Sequence, residues 1–161
     1  MVCSISPSGK VAFIDGASDI ELDYNTASNT KSWANGFNSS NTIYAHLYNY
    51  GDNAGDYDHG STTYSNLRNN GWTTDDVYQV SWGIVCCQAV PEIYYSSQAN
   101  QWYHVALYGV THYNSFYMCG VMSENGASGS LSADSSYTAL INQLAQDSRT
   151  AQATIDSPTI I

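Results

Sequence analysis

Short apolar runs that end at an acidic residue alternate along this chain with stretches of helical periodicity, and that alternation most constrains its fold. Val11 to Gly16 (VAFIDG) predicts a buried strand carrying Asp15 at its end. Ala89 to Tyr95 (AVPEIYY) predicts another that brings Glu92 and Tyr94 together, Pro91 favouring an edge or strand-start position. Phe116 to Ser123 predicts a third, running into Glu124. Among the intervening segments, Ser97 to Gly109 is the clearest helix, because Ala99, Trp102, Tyr103, Ala106 and Val110 recur at three- and four-residue steps. Trp33 and Phe37 suggest a shorter helix, and Tyr137, Leu140, Ile141 and Leu144 mark a last one capped by Asp134 or Ser135. With no internal repeat and no domain-sized linker, the pattern predicts one α/β domain over residues 1–161.

Two further segments alternate with period two. Ile43 to Tyr50 puts Tyr44, His46, Tyr48 and Tyr50 on one face, an aromatic and polar wall. Val77 to Ile84 (VYQVSWGI) predicts a strand with Tyr78, Val80, Trp82 and Ile84 on one face and Gln79, Ser81 and Gly83 on the other, although Thr73-Thr74-Asp75-Asp76 before it suits a helix start. The short IVCCQ stretch between Trp82 and Glu92 conflicts with two parallel neighbours, since a parallel crossover wants about a dozen residues. Either the two runs are not parallel neighbours or one of them is not a strand. Gly51 to Gly60 gathers Asp52, Asp56 and Asp58 among glycines as oxygen ligands for calcium, without the EF-hand spacing or its closing Glu; a solvated turn is the alternative. Ser61 to Asn70 predicts a short helix stopped by Gly71.

Charge narrows the partners. The chain has 14 Asp and Glu against 4 Lys and Arg, a formal charge of -10, and a surface of that sign neutralises no phosphates, which excludes nucleic acid and anionic membranes. No run approaches the roughly 18 consecutive apolar residues of a spanning helix. Only 11% of residues are charged, against about 25% in ordinary domains, and the Asn, Ser, Thr, Gln and Tyr that replace them predict a secreted or cell-surface protein. Met1 to Lys10 lacks the basic start and apolar core of a signal peptide, which predicts a mature segment behind a start Met; a protein not exported by that route is the alternative. Cys3, Cys86, Cys87 and Cys119 allow three pairings, of which Cys86 to Cys87 is strained. Structural disulfides are expected, with Cys119 bonded to one of that pair; buried free thiols are the alternative.

Asp76-Val77-Tyr78-Gln79-Val80-Ser81-Trp82-Gly83, Val90-Pro91-Glu92-Ile93-Tyr94-Tyr95 and Gln98-Ala99-Asn100-Gln101-Trp102-Tyr103, with the tail from Leu140 to Gln152 and Ile155-Asp156-Ser157, carry a family likeness. Over roughly its second half, the chain resembles a group of exported bacterial proteins with glycoside-hydrolase-like domains related to TIM barrels. The resemblance implies a parallel β/α sheet with its functional face at the carboxyl ends of the strands. Since a complete barrel takes about 250 residues, the expectation is an α/β fold built as a reduced or incomplete β/α barrel-like sheet with short helices.

Glycoside hydrolysis needs one carboxylic acid to protonate the leaving oxygen and one carboxylate to attack or to activate water. Glu92 and Glu124 are the expected pair, with Asp15 as an orienting carboxylate and Trp82 or Tyr94 supplying the apolar setting that raises the acid's pKa. Carboxylates capping loops at strand ends are the competing explanation. Trp82, Gln79, Tyr94, Tyr48 and Tyr50 are the expected binding residues for a polysaccharide, stacking on sugar C–H faces and hydrogen-bonding hydroxyls, with a place in the core the equal alternative for Trp82 and Tyr94. Trp33 and Trp102 sit on helical apolar faces and are expected in the core, and the histidines are expected to be structural. No Gly-x-Ser-x-Gly elbow or phosphate-binding glycine loop is present. The expectation is a domain that hydrolyses or binds extracellular or cell-wall polysaccharide, with no cofactor beyond that calcium. A noncatalytic carbohydrate-binding module and a self-associating structural protein are the alternatives.

Overall fold

The structure is a computed structural model that describes residues 15–42, 44–53, 71–124 and 128–155 and the backbone of 159–160. Strands β1 (Gly16–Ser18), β2 (Leu47–Asn49) and β3 (Cys87–Ala89) form a parallel sheet in that order, Gly16 opposite Leu47 and Leu47 opposite Cys87. Parallel bridges from Ala89 to Met118 and from Glu92 to Met122 continue the pairing to β4 (Met122–Ser123), which pairs in parallel with β5 (Thr159–Ile160). Spatial order therefore follows chain order and the strands share one direction, so their carboxyl ends gather at one end. The fold is mixed α/β with a small parallel sheet; no closed barrel forms among the described residues.

Each helix begins where a side chain satisfies its free amides. Thr26 precedes α1 (Ala27–Ser40), its hydroxyl accepting from the Asn29 amide at 3.3 Å, and the helix buries Ala27, Thr30 and Ala34. Before α2 (Thr74–Tyr78), Thr73 and Asp76 form a reciprocal capping box, with the Asp76 amide donating to Thr73 at 3.2 Å and the Thr73 amide to Asp76 at 2.9 Å. A π-helical turn, Gln79–Gly83, continues α2. Gln98 Oε1 accepts from the Tyr94 and Tyr95 amides at 2.6 and 2.9 Å and so starts α3 (Ser96–His112). Ser132, rather than Asp134 or Ser135, caps α4 (Ala133–Leu144).

Val77 to Gly83 is therefore helical, with Ile84 the extended residue that ends it, and the predicted strand is corrected. Its apolar residues Val77, Val80 and Ile84 fit three- and four-residue steps as well as alternation, and the capping box decides between the two. The correction removes the crossover conflict, since β2 and β3 are now the parallel neighbours and a long connection joins them. Other strands are shorter than predicted. Residues 11–14 and the predicted helix over 61–70 lie outside the described residues, and β1 starts after Asp15. Tyr44, at φ 57°, interrupts the alternating Ile43 to Tyr50 run, of which Leu47–Asn49 is the strand. Cys86, Cys87 and Cys119 are free thiols, so no disulfide links these three; Cys3 lies outside the described residues.

Consecutive helices pack on one another, and the main core gathers where they meet the sheet. Trp72 and Trp102 are fully buried there. The Trp72 indole also donates to the Asn25 carbonyl at 2.9 Å, which ties the loop after β1 to the start of α2. Where β1 and β2 end, backbone meets backbone: a Cβ on Gly51 would lie 2.1 Å from the Ile20 carbonyl oxygen. Gly51 also accepts from the Glu92 amide at 3.3 Å, so three strand ends converge on one glycine. Gly51→Ala is expected to destabilise the fold by about 3 kcal/mol, the upper range for overpacking, because neither contacting group is a side chain able to turn away. A urea midpoint unchanged from the wild type would show that these strand ends are not packed this closely.

Candidate functional site

The turn after β1 alternates apolar and acidic residues. Ile20 and Leu22 are buried, at 4% and 2% exposure, and a period of two sends Asp19, Glu21 and Asp23 the other way. Glu92 follows β3, its backbone fixed by the amide bond to Gly51 and by the parallel bridge to Met122. The two segments meet at the carboxyl end of the sheet: one carboxylate oxygen from each of Asp19, Glu21 and Glu92 lies within 4.8 Å of the others. Glu92 is buried, Glu21 half-buried and Asp19 exposed.

Burial pushes the Glu92 carboxyl up to about 7; a hydrogen bond with Tyr94 opposes the shift, and the charges of Asp52, Asp19 and Glu21 add to it. Glu21 is raised by burial against a hydrogen bond with Tyr24, with Asp19, Asp52 and Asp23 contributing, and Asp19 is raised by burial. Among the described residues the cations are committed elsewhere. Lys31 pairs with Asp76, and Arg149 with Asp147 at 2.7 Å. The pairing is visible in Asp76, where burial pushes the carboxyl up but Lys31 and Thr73 hold it below its ordinary value. With no such cation beside them among the described residues, Asp19, Glu21 and Glu92 are all raised, Glu92 close to neutrality.

Of the residues expected from sequence, Glu92 lies at the centre and Tyr94 is hydrogen-bonded to it. Burial first, then Glu92 and the charge of Glu124, push the Tyr94 phenol up. Glu124 is exposed just past β4, at the same end of the sheet. Asp52 acts on Glu92 and Glu21 through its charge; Asp56 and Asp58 lie outside the described residues. Asp15 stands at the opposite end, because β1 begins after it: its Oδ1 accepts from the His46 amide at 2.7 Å and lies 3.6 Å from His46 Nδ1. Tyr48 packs beside His46, ring centroids 5.9 Å apart, while the Tyr50 amide donates to Ser18 at 3.1 Å.

Gln79 and Trp82 are in the π-helical turn. The Trp82 indole donates to the Tyr117 carbonyl at 2.6 Å and its ring meets Trp102 and Phe116 edge-on, and Gln79 reaches the Tyr113 hydroxyl at 3.4 Å. These partners lie on α3 and on the stretch that follows it. Sequence reasoning missed Asp19 and Glu21, although the Asp19-Ile20-Glu21-Leu22-Asp23 alternation carried the signal.

Beside the carboxylates a cleft of about 330 Å³ is lined by Asp19, Glu21, Tyr24, Asn25 and Trp33 among others. Trp33 also borders a second, more apolar cleft of about 400 Å³ with Phe37 and Leu47. It is 48% exposed, which corrects its expected place in the core; Trp102 is in the core as expected. Asp19, Glu21 and Glu92 are oxygen donors of the kind hard divalent cations take, and the same groups serve proton chemistry. No family model, curated protein or solved structure matches the chain.

Because the folded pKa of Glu92, about 7, exceeds the ordinary 4.5, its contribution to stability is complete below about pH 4.5 and lost as pH rises through about 7. Glu92→Gln is expected to remove that loss, matching the wild type in acid and exceeding it by about 2 to 3 kcal/mol above neutrality. Urea denaturation across pH checks this, and parallel profiles for the two proteins would deny that Glu92 is a buried acid.

Proposed function

We propose that this chain is an exported or surface α/β domain that hydrolyses glycosidic bonds, with Glu92 as general acid and Asp19 as nucleophile. The observation that carries this reading is the convergence of a buried, high-pKa carboxyl and an exposed carboxylate within 4.8 Å at the carboxyl end of parallel strands. Retaining glycosidases hold their two carboxyl groups about 5 Å apart, whereas inverting ones leave about 6.5 to 9.5 Å for a water. The spacing supports retention. Strands that follow one another in chain order, all parallel, also support an incomplete β/α barrel over a doubly wound sheet, whose strand order reverses at a switch point.

In this scheme the protonated Glu92 gives its proton to the leaving glycosidic oxygen while Asp19 attacks the anomeric carbon. The bond to the leaving sugar breaks and an ester to Asp19 forms. Glu92, now ionised, takes a proton from water, and the resulting hydroxide displaces Asp19 and restores both groups. Glu21, hydrogen-bonded with Tyr24, keeps negative charge beside Glu92 and helps it hold its proton. Glu124, which acts on Tyr94 through its charge, belongs to the rim of the site.

Hydrolysis of a panel of cell-wall and extracellular polysaccharides, followed by release of reducing ends, tests the reading. Glu92→Gln and Asp19→Asn are each expected to slow the reaction by roughly 10² to 10⁴ with the fold intact. Activity is expected to fall as pH rises through about 7, where Glu92 loses its proton. A folded Glu92→Gln protein that hydrolyses as fast as the wild type sinks the mechanism. Sugar binding without hydrolysis by the wild type moves the reading to a noncatalytic carbohydrate-binding module.

A further inference from the structure

Trp33 occupies a position that burial alone does not explain. α1 buries the stripe Ala27, Thr30 and Ala34, while Trp33 turns aside and stands 48% exposed between the two clefts. Tyr24, 75% exposed, faces the smaller cleft from the loop that the Trp72 indole holds at Asn25. Leaving large aromatic side chains this far in water forgoes much of what their burial would contribute. Two such rings lining one cleft with Asp19 and Glu21 offer faces on which the C–H face of a pyranose can stack.

Among the described residues, the charge around that cleft has one sign. Asp19 and Glu21 line it, and the charges of Asp19, Asp52 and Asp23 reach Glu21. Lys31, near Trp33 on α1, is bound to Asp76. Among the described residues a uronate, sulfate or phosphate entering here meets like charge and no Lys or Arg free to compensate it, whereas an ammonium gains both the carboxylates and the faces of Trp33 and Tyr24.

We infer that the Trp33–Tyr24 cleft is a subsite for an amino sugar, so that the glycan this domain takes bears free amines and no acidic groups. The inference rests on the reading of the neighbouring carboxylates as a glycan site and adds its substrate class.

Binding measured apart from hydrolysis separates the two. Calorimetry on the full chain in a Glu92→Gln background, at a pH where amines are protonated, would compare glucosamine, N-acetylglucosamine and galacturonate oligomers of equal length. Glucosamine oligomers are expected to bind about tenfold tighter than acetylated ones, with galacturonate oligomers weakest, and the advantage is expected to shrink as salt is added. Trp33→Ala is expected to weaken glucosamine binding at least tenfold, on the order of one stacked ring, and Trp33→Phe to restore part of it. Equal affinity for amino and acetylated oligomers, or glucosamine binding unchanged in Trp33→Ala, overturns the inference. Trp33-dependent glucosamine binding with no hydrolysis by the wild type leaves the subsite standing and removes the hydrolase. Hydrolysis with Trp33→Ala indistinguishable from the wild type in KM does the reverse.

Discussion

Parallel pairing in chain order is the constraint on which the rest of this structure depends. Each connection must bring the chain back to the same end of the sheet, so whatever follows β1, β2 and β3 is delivered to one place. Here the delivered segments are acidic. Gly51 permits the close approach by presenting no Cβ to the Ile20 backbone, and its carbonyl accepts the Glu92 amide. Burial of Ile20 and Leu22 then fixes which side of the β1 turn faces the sheet's end. Two full charges no more than 4.8 Å apart repel by at least about 3.5 kcal/mol at an effective dielectric near 20. That is comparable to what burying one apolar side chain of the turn supplies, about 1.5 to 3 kcal/mol. Keeping a proton on the most buried carboxyl relieves the repulsion at little expense, and Glu92 is the group that burial selects.

How much of this was legible in the sequence depended on whether the signal was local. The mixed α/β class and the helices around Trp102 and Leu140 were legible because their periodicity is long and their neighbours agree. Val77 to Ile84 was not, because VYQVSWGI satisfies both periods, and the deciding interaction is the reciprocal bond between Thr73 and Asp76 just before it. Glu92 was legible as an acid at a strand end. Its companions were not, since the expected strand closed at Gly16 and the alternation that continues through Asp19 and Glu21 looked like loop. Asp15 was misplaced for the same reason: a register shift of a few residues moves an acid from one end of a short strand to the other.

The aromatic residues divide by the same logic. With 3 Phe against 4 Trp and 14 Tyr, the core must use indole rings, and Trp72 and Trp102 fill it completely. Trp82 closes its amino-terminal edge against Trp102 and Phe116. Trp33 was expected inside together with Trp102, but α1 is longer than its spacing from Phe37 implies and its buried stripe runs through Ala27, Thr30 and Ala34. The indole lies off that stripe and lines the cleft with Asp19 and Glu21.

Scarcity of cations ties the fold to the chemistry. Lys31 bridges α1 to α2 through Asp76, and Arg149 closes the turn after α4 on Asp147. Either side chain, had it reached Asp19, Glu21 or Glu92, would have held those carboxylates ionised, as Lys31 helps to do for Asp76. Their commitment to the scaffold keeps both of these cations from the strand-end carboxylates, of which the most buried keeps its proton towards neutral pH. A site so arranged holds a transferable proton near neutral pH beside a carboxylate open to solvent, and an acid catalyst requires that combination.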